Sequence, residues 1–317
     1  MAKTNKQQAS KEEIFNRIIR DINVINRTYG AASFKTKANY TELIKPYIKF
    51  LVEDYGIKAL KNSSSKHFSA YMEKRKADGV SASTLKTTAS AIRFYHSKSN
   101  SKYALITNTE LGLKRREFGK ENKAFTMAEI KELLILAGQS DRLDIFLAVC
   151  GGYLLGMRLE EICTATVEKV NTAKRDGELE IKGKNGLVRA TPISSDERSR
   201  FINLLSEYAK EYNLTSKDKI LPGIAGKSVK AMKKSVQNFL NDYKELYTVK
   251  NRSETLPTEG SKKRSETLSF HGLRHFYVQT RLKEYEEEGI RDISQRRAKI
   301  SSEIGHSREE IVKTYEG

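Results

Sequence analysis

Tryptophan is absent from this 317-residue chain, proline occurs four times and cysteine twice. With so little proline, long helices meet few breaks. Two cysteines cannot build a disulfide framework or a thiolate metal site. Cys150 and Cys163 both sit in apolar, helical-looking stretches and read as reduced core residues. No apolar run approaches the roughly 20 residues that span a bilayer. The opening MAKTNKQQASKEE lacks the apolar centre of a secretory signal. The expected setting is therefore cytoplasmic, with no membrane partner. Acidic charge is also scarce: 40 Asp and Glu face 58 Lys and Arg, a net +18. Residues 1–124 hold 25 of the basic residues and 11 of the acidic ones, and the other 193 residues carry only +4. A basic N-terminal part joined to a near-neutral remainder suggests a polyanion ligand, most simply nucleic acid. A basic surface without a ligand is the plainer alternative.

What the chain does have is helical periodicity. Ile14, Ile18, Ile22 and Ile25 recur at helix spacing in residues 11–27. A second helix is predicted over 36–55, with Tyr40, Leu43, Ile44, Tyr47, Ile48 and Leu51 on one face, a kink at Pro46 and a stop at Gly56. Two more follow in SSSKHFSAYMEKRKADG and SASTLKTTASAIRFYHSKS. We divide the chain into an extension helix (1–30), a helical domain (31–111), a linker (112–124) and a second domain (125–317). The isoleucine stripe of residues 1–30 favours packing, though a DNA-contacting or subunit-contacting module is also open.

In the second domain, Thr126 and Glu129 form a capping box ahead of IKELLILA. DRLDIFLAVCGGYLLGMRLEEICTAT reads as two buried helices broken near Gly151-Gly152. GELEIKGKNGLVRATPI is a hairpin, and helices follow over about 195–212 and 227–246. RSETL occurs twice, at 252–256 and 264–268, inside a polar loop, and we have no functional account of it. The fold class is mainly α: an all-α N-terminal domain, then an α+β domain of helices with a small antiparallel sheet.

Taken singly, the polar candidates are weak. His271 and Arg274 are neighbours on one helix face, but such a pair arises easily by chance in a basic chain. Arg158 reads as a snorkelling helix arginine, Lys184 as a solvated turn lysine, and His306 and Tyr315 as a helix-start residue and a core aromatic. Together they are more specific. GYLLGMRLEEICTATVEKV with Glu161 three after Arg158, IKGKNGLVRATPI, SFHGLRHFYVQTRL and IGHSREEIVKTYEG stand in that order. This order, with SASTLKTTASAIRFYHS upstream, resembles the tyrosine recombinases, also called the phage integrase family, over residues 31–317.

The resemblance implies a site-specific DNA recombinase or integrase whose two domains clamp duplex DNA. Tyr315 would be the nucleophile, forming a 3′-phosphotyrosyl link with release of a 5′-hydroxyl. Strand exchange would run through a four-way junction, in service of a mobile element. Arg158 and Arg274 would bind the phosphorane by paired N–H donors. Lys184 would be the general acid, with Lys182 as the competing choice. His271 would assist proton transfer at the tyrosine, His306 would bind a non-bridging phosphate oxygen, and Glu161 would support. No cofactor or metal is implied. The implied partners are double-stranded DNA and further copies of the chain, from dimer to tetramer. Lys86, Arg93, Lys114, Arg115 and Arg116 are candidate DNA contacts. A type IB topoisomerase-like relaxing enzyme is the alternative, and a DNA-binding protein with a decayed site a third.

Two features depart from the family pattern. The step from Arg274 to His306 is long, with KEYEEEGIRDISQRR as the apparent insertion, charged and expected to face solvent or a partner. Only Glu316 and Gly317 follow Tyr315, where family members continue into a segment that docks on a neighbouring subunit. Ser307 and Glu310 form a second capping-box pattern, so a helix is expected to begin after His306. Eight helical residues span about 12 Å. For both side chains to reach one phosphate, that helix must end or bend before Tyr315.

Overall fold

The computed structural model describes residues 2–30, 33–114, 121–183, 186–249, 264–266, 268–306 and 309–316, without the side chains of 2–9, 309 and 310. Arg115, Arg116, Lys184, Ser307 and most of the RSETL loop lie outside the described residues. The chain forms two compact units, Met1–Glu117 and Phe118–Gly317. Both are helical, and the one sheet among the described residues is a two-stranded antiparallel pair, as the sequence led us to expect.

The first unit holds α1 (Ala2–Thr28), α2 (Phe34–Tyr55), α3 (Ser65–Ala77) and α4 (Ala82–Lys98). Its helices start where a serine can cap them: the side chains of Ser33 and Ser81 accept from the amides of Thr36 and Thr84. Gly56 ends α2 at φ 63°, a left-handed position where a side chain is strained. Pro46 lies inside α2. Ile18, Ile22 and Ile25 are buried against Ile44, Tyr47, Ile48, Leu51, Ile92 and Tyr95, so the isoleucine stripe is a packing face. The Tyr95 hydroxyl ties the layers together by donating to Asn26 Oδ1 at 2.9 Å and Lys37 O at 3.2 Å.

The second unit holds α5 (Met127–Gln139), α6 (Leu143–Leu154), α7 (Leu159–Thr164), α8 (Val167–Asp176), β1 (Glu178–Lys182), β2 (Val188–Pro192) and α9 (Asp196–Glu211). It continues with α10 (Ile220–Ala225), α11 (Val229–Asp242), α12 (Lys244–Tyr247), α13 (His271–Glu287), α14 (Ile293–Glu303) and a 3₁₀ turn (Glu309–Thr314). Leu179 pairs with Thr191 and Ile181 with Arg189 across the hairpin. The Thr126–Glu129 capping box forms, at 3.1 and 2.7 Å.

One break falls elsewhere than expected. The α6 helix runs through Gly151 and Gly152 and ends at Leu154. These glycines are contact points: a Cβ would stand 2.7 Å from Ile162 Cδ1 at Gly151 and 2.8 Å from Leu273 Cδ1 at Gly152. The turn comes at Gly156, φ 58°, where a Cβ would meet the Tyr277 ring at 2.5 Å. Residues 283–297 are mostly exposed, as expected of a solvent-facing piece, but two of their side chains turn inward. Tyr285 and Arg296 are buried, and Glu284 accepts both branches of a forked bond from Arg198, at 2.9 and 3.0 Å. Cys150 and Cys163 are buried free thiols, pushed up to about 12 chiefly by burial. No helix among the described residues is long and apolar enough to cross a membrane.

Candidate active site

Arg158 is the residue at which α7 starts. Its backbone N–H donates to Glu161 Oε2 and its Nη1 to Glu161 Oε1, both at 2.7 Å. The i, i+3 spacing that sets a capping box here also forms an ion pair. Glu161 Oε2 takes a further bond from Arg189 Nη2 at 2.8 Å and lies 3.8 Å from Arg274 Nη1. Burial alone would raise this carboxyl, but Arg189, the Arg158 amide and Arg274 more than offset it, holding the pKa at about 2. Three arginines therefore converge on one buried carboxylate.

The two guanidiniums that the sequence singled out differ in access. The Arg158 side chain is 29% exposed, whereas that of Arg274 is wholly buried. Arg274 Nη1 donates to Gly156 O at 2.6 Å and Nη2 to Ile304 O, while Nε has no protein partner. Burial lowers the Arg274 pKa to about 10, with Arg189 and Arg158 adding to the effect and Tyr315 and Glu161 opposing it. Arg274 is thus a buried cation anchored to two backbone carbonyls by two of its five N–H groups.

The 3₁₀ turn Glu309–Thr314 replaces the expected helix, and Tyr315 lies on the turn after it. The bend brings the two side chains together: His306 Nε2 is 3.3 Å from the Tyr315 hydroxyl. The Tyr315 ring is 5% exposed and packs beside Tyr277, Ile300, Ile304 and Val312. Its other side faces His275 and His271, with ring centroids at 4.5 and 5.5 Å. Gln279 Nε2 holds the Tyr315 carbonyl at 2.8 Å, and Arg297 holds Glu316 by two bonds of 2.6 and 2.7 Å.

Both imidazoles are kept neutral. Loss of hydration, then Arg274 and Arg158, lowers His271 and His306 to about 4. His271 keeps an exposed edge, where solvent screens part of this, so the stability consequence rests on half-buried His306. Its folded pKa lies below the unfolded value near 6.5. Stability should therefore be flat above about pH 7 and fall as pH drops from 6.5 to 4, where the unfolded chain binds more protons. Solvent screens part of the shift at this half-buried ring, so the loss from this group is on the order of 1–2 kcal/mol. Denaturant unfolding at stepped pH, with and without His306→Asn, measures it; an unchanged slope in the variant would refute it.

The hairpin tip at Lys184 is outside the described residues, but its base is not. Gly183 N donates to Leu187 O at 2.7 Å. A Cβ on Gly183 would stand 3.7 Å from Glu161 Oε1 and 3.9 Å from Arg158 Nη1. Lys182, at the end of β1, is exposed and lines a cavity with Glu161 of α7 and Lys169 of α8. Beyond Arg158 and His271 an open groove of about 620 Å³ continues along Lys234, Gln237, Asn238 and Asn241 of α11.

In the first unit, Lys86 is half-buried on α4 and Lys114 is exposed. Arg93 is committed internally. Its Nε and Nη2 hold Ile106 O at 2.9 and 2.7 Å, Nη1 holds Asn108 Oδ1 at 2.9 Å, and the guanidinium lies over the Phe68 ring.

Sequence reasoning missed Arg189 and His275. The signal for Arg189 was a charged residue at an inward position of VRATP, where alternation calls for an apolar one. His275 stood in HGLRH one turn after His271, on the same helix face.

Two family models match the chain: the N-terminal SAM-like domain of phage integrases over residues 29–99, and the phage integrase family over residues 123–316. Among solved structures the fold is similar to that of a lambda integrase tetramer bound to a Holliday junction. The TM-score is 0.61 at 16% identity, covering 96% of this chain and 77% of that one. It is also similar to the Tn1549 transposon integrase in complex with transposon right end DNA, with TM-score 0.58 at 15% identity over 94% of each chain. At these identities the likeness is one of fold. No curated protein sequence matches the chain.

Proposed function

Because the chain belongs to the phage integrase family, the tyrosine recombinases of site-specific recombination, we propose that it cuts and rejoins duplex DNA through Tyr315. The phenol oxygen bonds to the scissile phosphorus as the bond to the 5′-oxygen breaks. The phenol proton passes to neutral His271, and the leaving oxygen takes a proton from Lys184. The ester conserves the bond energy, and attack by a partner strand's 5′-hydroxyl reverses the step through a four-way junction.

The observation that carries this reading is the Tyr315 hydroxyl 3.3 Å from His306 Nε2, beside an arginine cluster. Arg158, the more exposed cation, would meet the phosphate first and Arg274 would supply fixed positive potential behind it. The proximity of the Gly183 backbone to Arg158 supports Lys184 over Lys182 as the acid. The basic first unit supports DNA binding. The assemblies named for the similar structures support a homo-oligomer on DNA and service to a mobile element.

The test is a nicked duplex library incubated with the protein in a chelator, followed by a denaturing gel. A covalent protein–DNA band at one sequence supports the proposal; its absence would falsify it. Plasmid relaxation without exchange between two sites would favour the topoisomerase-like alternative.

The α11 groove suggests where sequence is read. Gln237, Asn238 and Asn241 are exposed on one face, and side-chain amides suit the paired donor and acceptor of adenine. Gln237→Ala or Asn238→Ala should lower discrimination at one base pair by about 1–3 kcal/mol. Lys234→Ala should weaken all sites alike and flatten the salt dependence. Selection from randomised duplexes distinguishes these patterns.

A further inference from the structure

The last residue of α14 is held more tightly than the end of a helix requires. Glu303 is 5% exposed. Its Oε2 accepts from the Tyr277 hydroxyl at 2.6 Å and from Arg281 Nε at 3.1 Å. Its Oε1 accepts from Arg281 Nη2 at 2.9 Å and from the Tyr285 hydroxyl. Tyr277, Arg281 and Tyr285 are spaced by four along α13, so one helix stripe presents four donors to one carboxylate. The backbone carbonyl of Glu303 is gripped from the other side by Arg189 Nη1 and Thr191 Oγ1 of β2.

The residues directly after this clamp belong to the site. Ile304 O receives Arg274 Nη2. Gly305 turns at φ 66°, and a Cβ there would meet Arg189 Cδ at 2.8 Å. His306 closes the turn, its N–H donating to Ser301 O at 2.8 Å while its ring meets Tyr315. Tyr277 also shares the apolar cluster that holds the Tyr315 ring, but that packing does not use its hydroxyl, so what the carboxylate adds reaches the site chiefly through the 304–306 turn.

We propose that Glu303 is a positioning residue: by tying α13, α14 and β2 to one point it fixes the 304–306 turn that aims His306 at Tyr315. A buried ion pair is by itself weak evidence for stability. Four directed bonds to one carboxylate instead give the sub-ångström placement that phosphoryl chemistry needs. The catalytic significance rests on the recombinase reading above, while the placement itself does not.

Glu303→Gln keeps the volume and removes the charge and part of the accepting capacity. Single-turnover adduct formation should fall about 100-fold, the scale of a 1 Å misplacement, with DNA affinity unchanged. In a His306→Ala background the same substitution should cost less than threefold, because its effect passes through that imidazole. Histidine NMR without DNA should show His306 titrating nearer its ordinary value once it leaves the arginines. Tyr285→Phe, which removes one donor and keeps the ring, should show the same pattern at reduced size, and serves if Glu303→Gln does not fold. Equal losses in both backgrounds, or an unmoved His306 titration, overturn the proposal. A wild-type protein that forms no adduct overturns the recombinase reading, and the His306 titration still decides the placement.

Discussion

Tyr315→Phe should abolish the covalent adduct while leaving DNA binding and folding almost untouched. The substitution deletes one oxygen. The ring stays packed on Tyr277, Ile300, Ile304 and Val312 and against the His271 and His275 rings. What disappears is the hydroxyl 3.3 Å from His306 Nε2. Loss of one such hydrogen bond costs about 1 kcal/mol, a small part of a domain's stability. Loss of a nucleophile costs on the order of 10⁶ in rate, which leaves no band on a gel. Comparing adduct yield, DNA affinity and melting for the two proteins gives a clear contrast. An adduct that survives in the phenylalanine protein would move the nucleophile to another hydroxyl. Arg158→Ala should lie between, with a rate loss of about 10²–10³ and weakened binding, because its side chain is partly exposed and aims at the groove.

The contrast shows what was legible in the sequence. Specific local phrases let the sequence propose six scattered polar residues as one site; of these, Arg158, His271, Arg274, His306 and Tyr315 lie near one another, and Lys184 is outside the described residues. Several helices followed from periodicity and local punctuation: the Gly56 stop and the Thr126–Glu129 capping box each mark a boundary by a local bond or backbone angle. Features set by distant contacts were not readable. Gly151-Gly152 looks like a break, and only the pressure of Ile162 and Leu273 shows why glycine is needed inside that helix. Arg93 looks like a surface cation until the 106–108 segment folds back on it. Arg274 reads as a phosphate-binding arginine, and the carbonyls that anchor two of its N–H groups come from residues 156 and 304, far away in the chain. The acidic run ending α13 reads as solvated, yet Glu284 meets Arg198 from 86 positions away. Local chemistry is written locally. Which cation answers which anion is decided by the tertiary fold.

Glu161→Ala should give the largest loss of stability among substitutions around the site. The carboxylate is 4% exposed and is shared by Arg158 and Arg189, with Arg274 at 3.8 Å. Removing it leaves the buried Arg189 and Arg274 without their common anion, and breaking a buried pair in this way costs about 3–5 kcal/mol. The depressed pKa gives a consistent figure: a fall from 4.5 to about 2 corresponds to roughly 3 kcal/mol. Because this pKa is lowered on folding, the contribution is complete above pH 4.5 and disappears as pH falls through 2. The difference between wild type and variant should therefore be widest near neutrality and shrink in acid. Glu161→Gln, which keeps a side-chain oxygen acceptor, should lose less. Sulfate or phosphate should recover part of the alanine protein's stability, because an anion entering the vacated space meets the same guanidinium groups. Urea unfolding at pH 7 and pH 3, with and without sulfate, tests all three expectations. A small, pH-independent loss that no anion repairs would mean that the three arginines are held apart by packing alone, and that Glu161 does not organise the cationic centre.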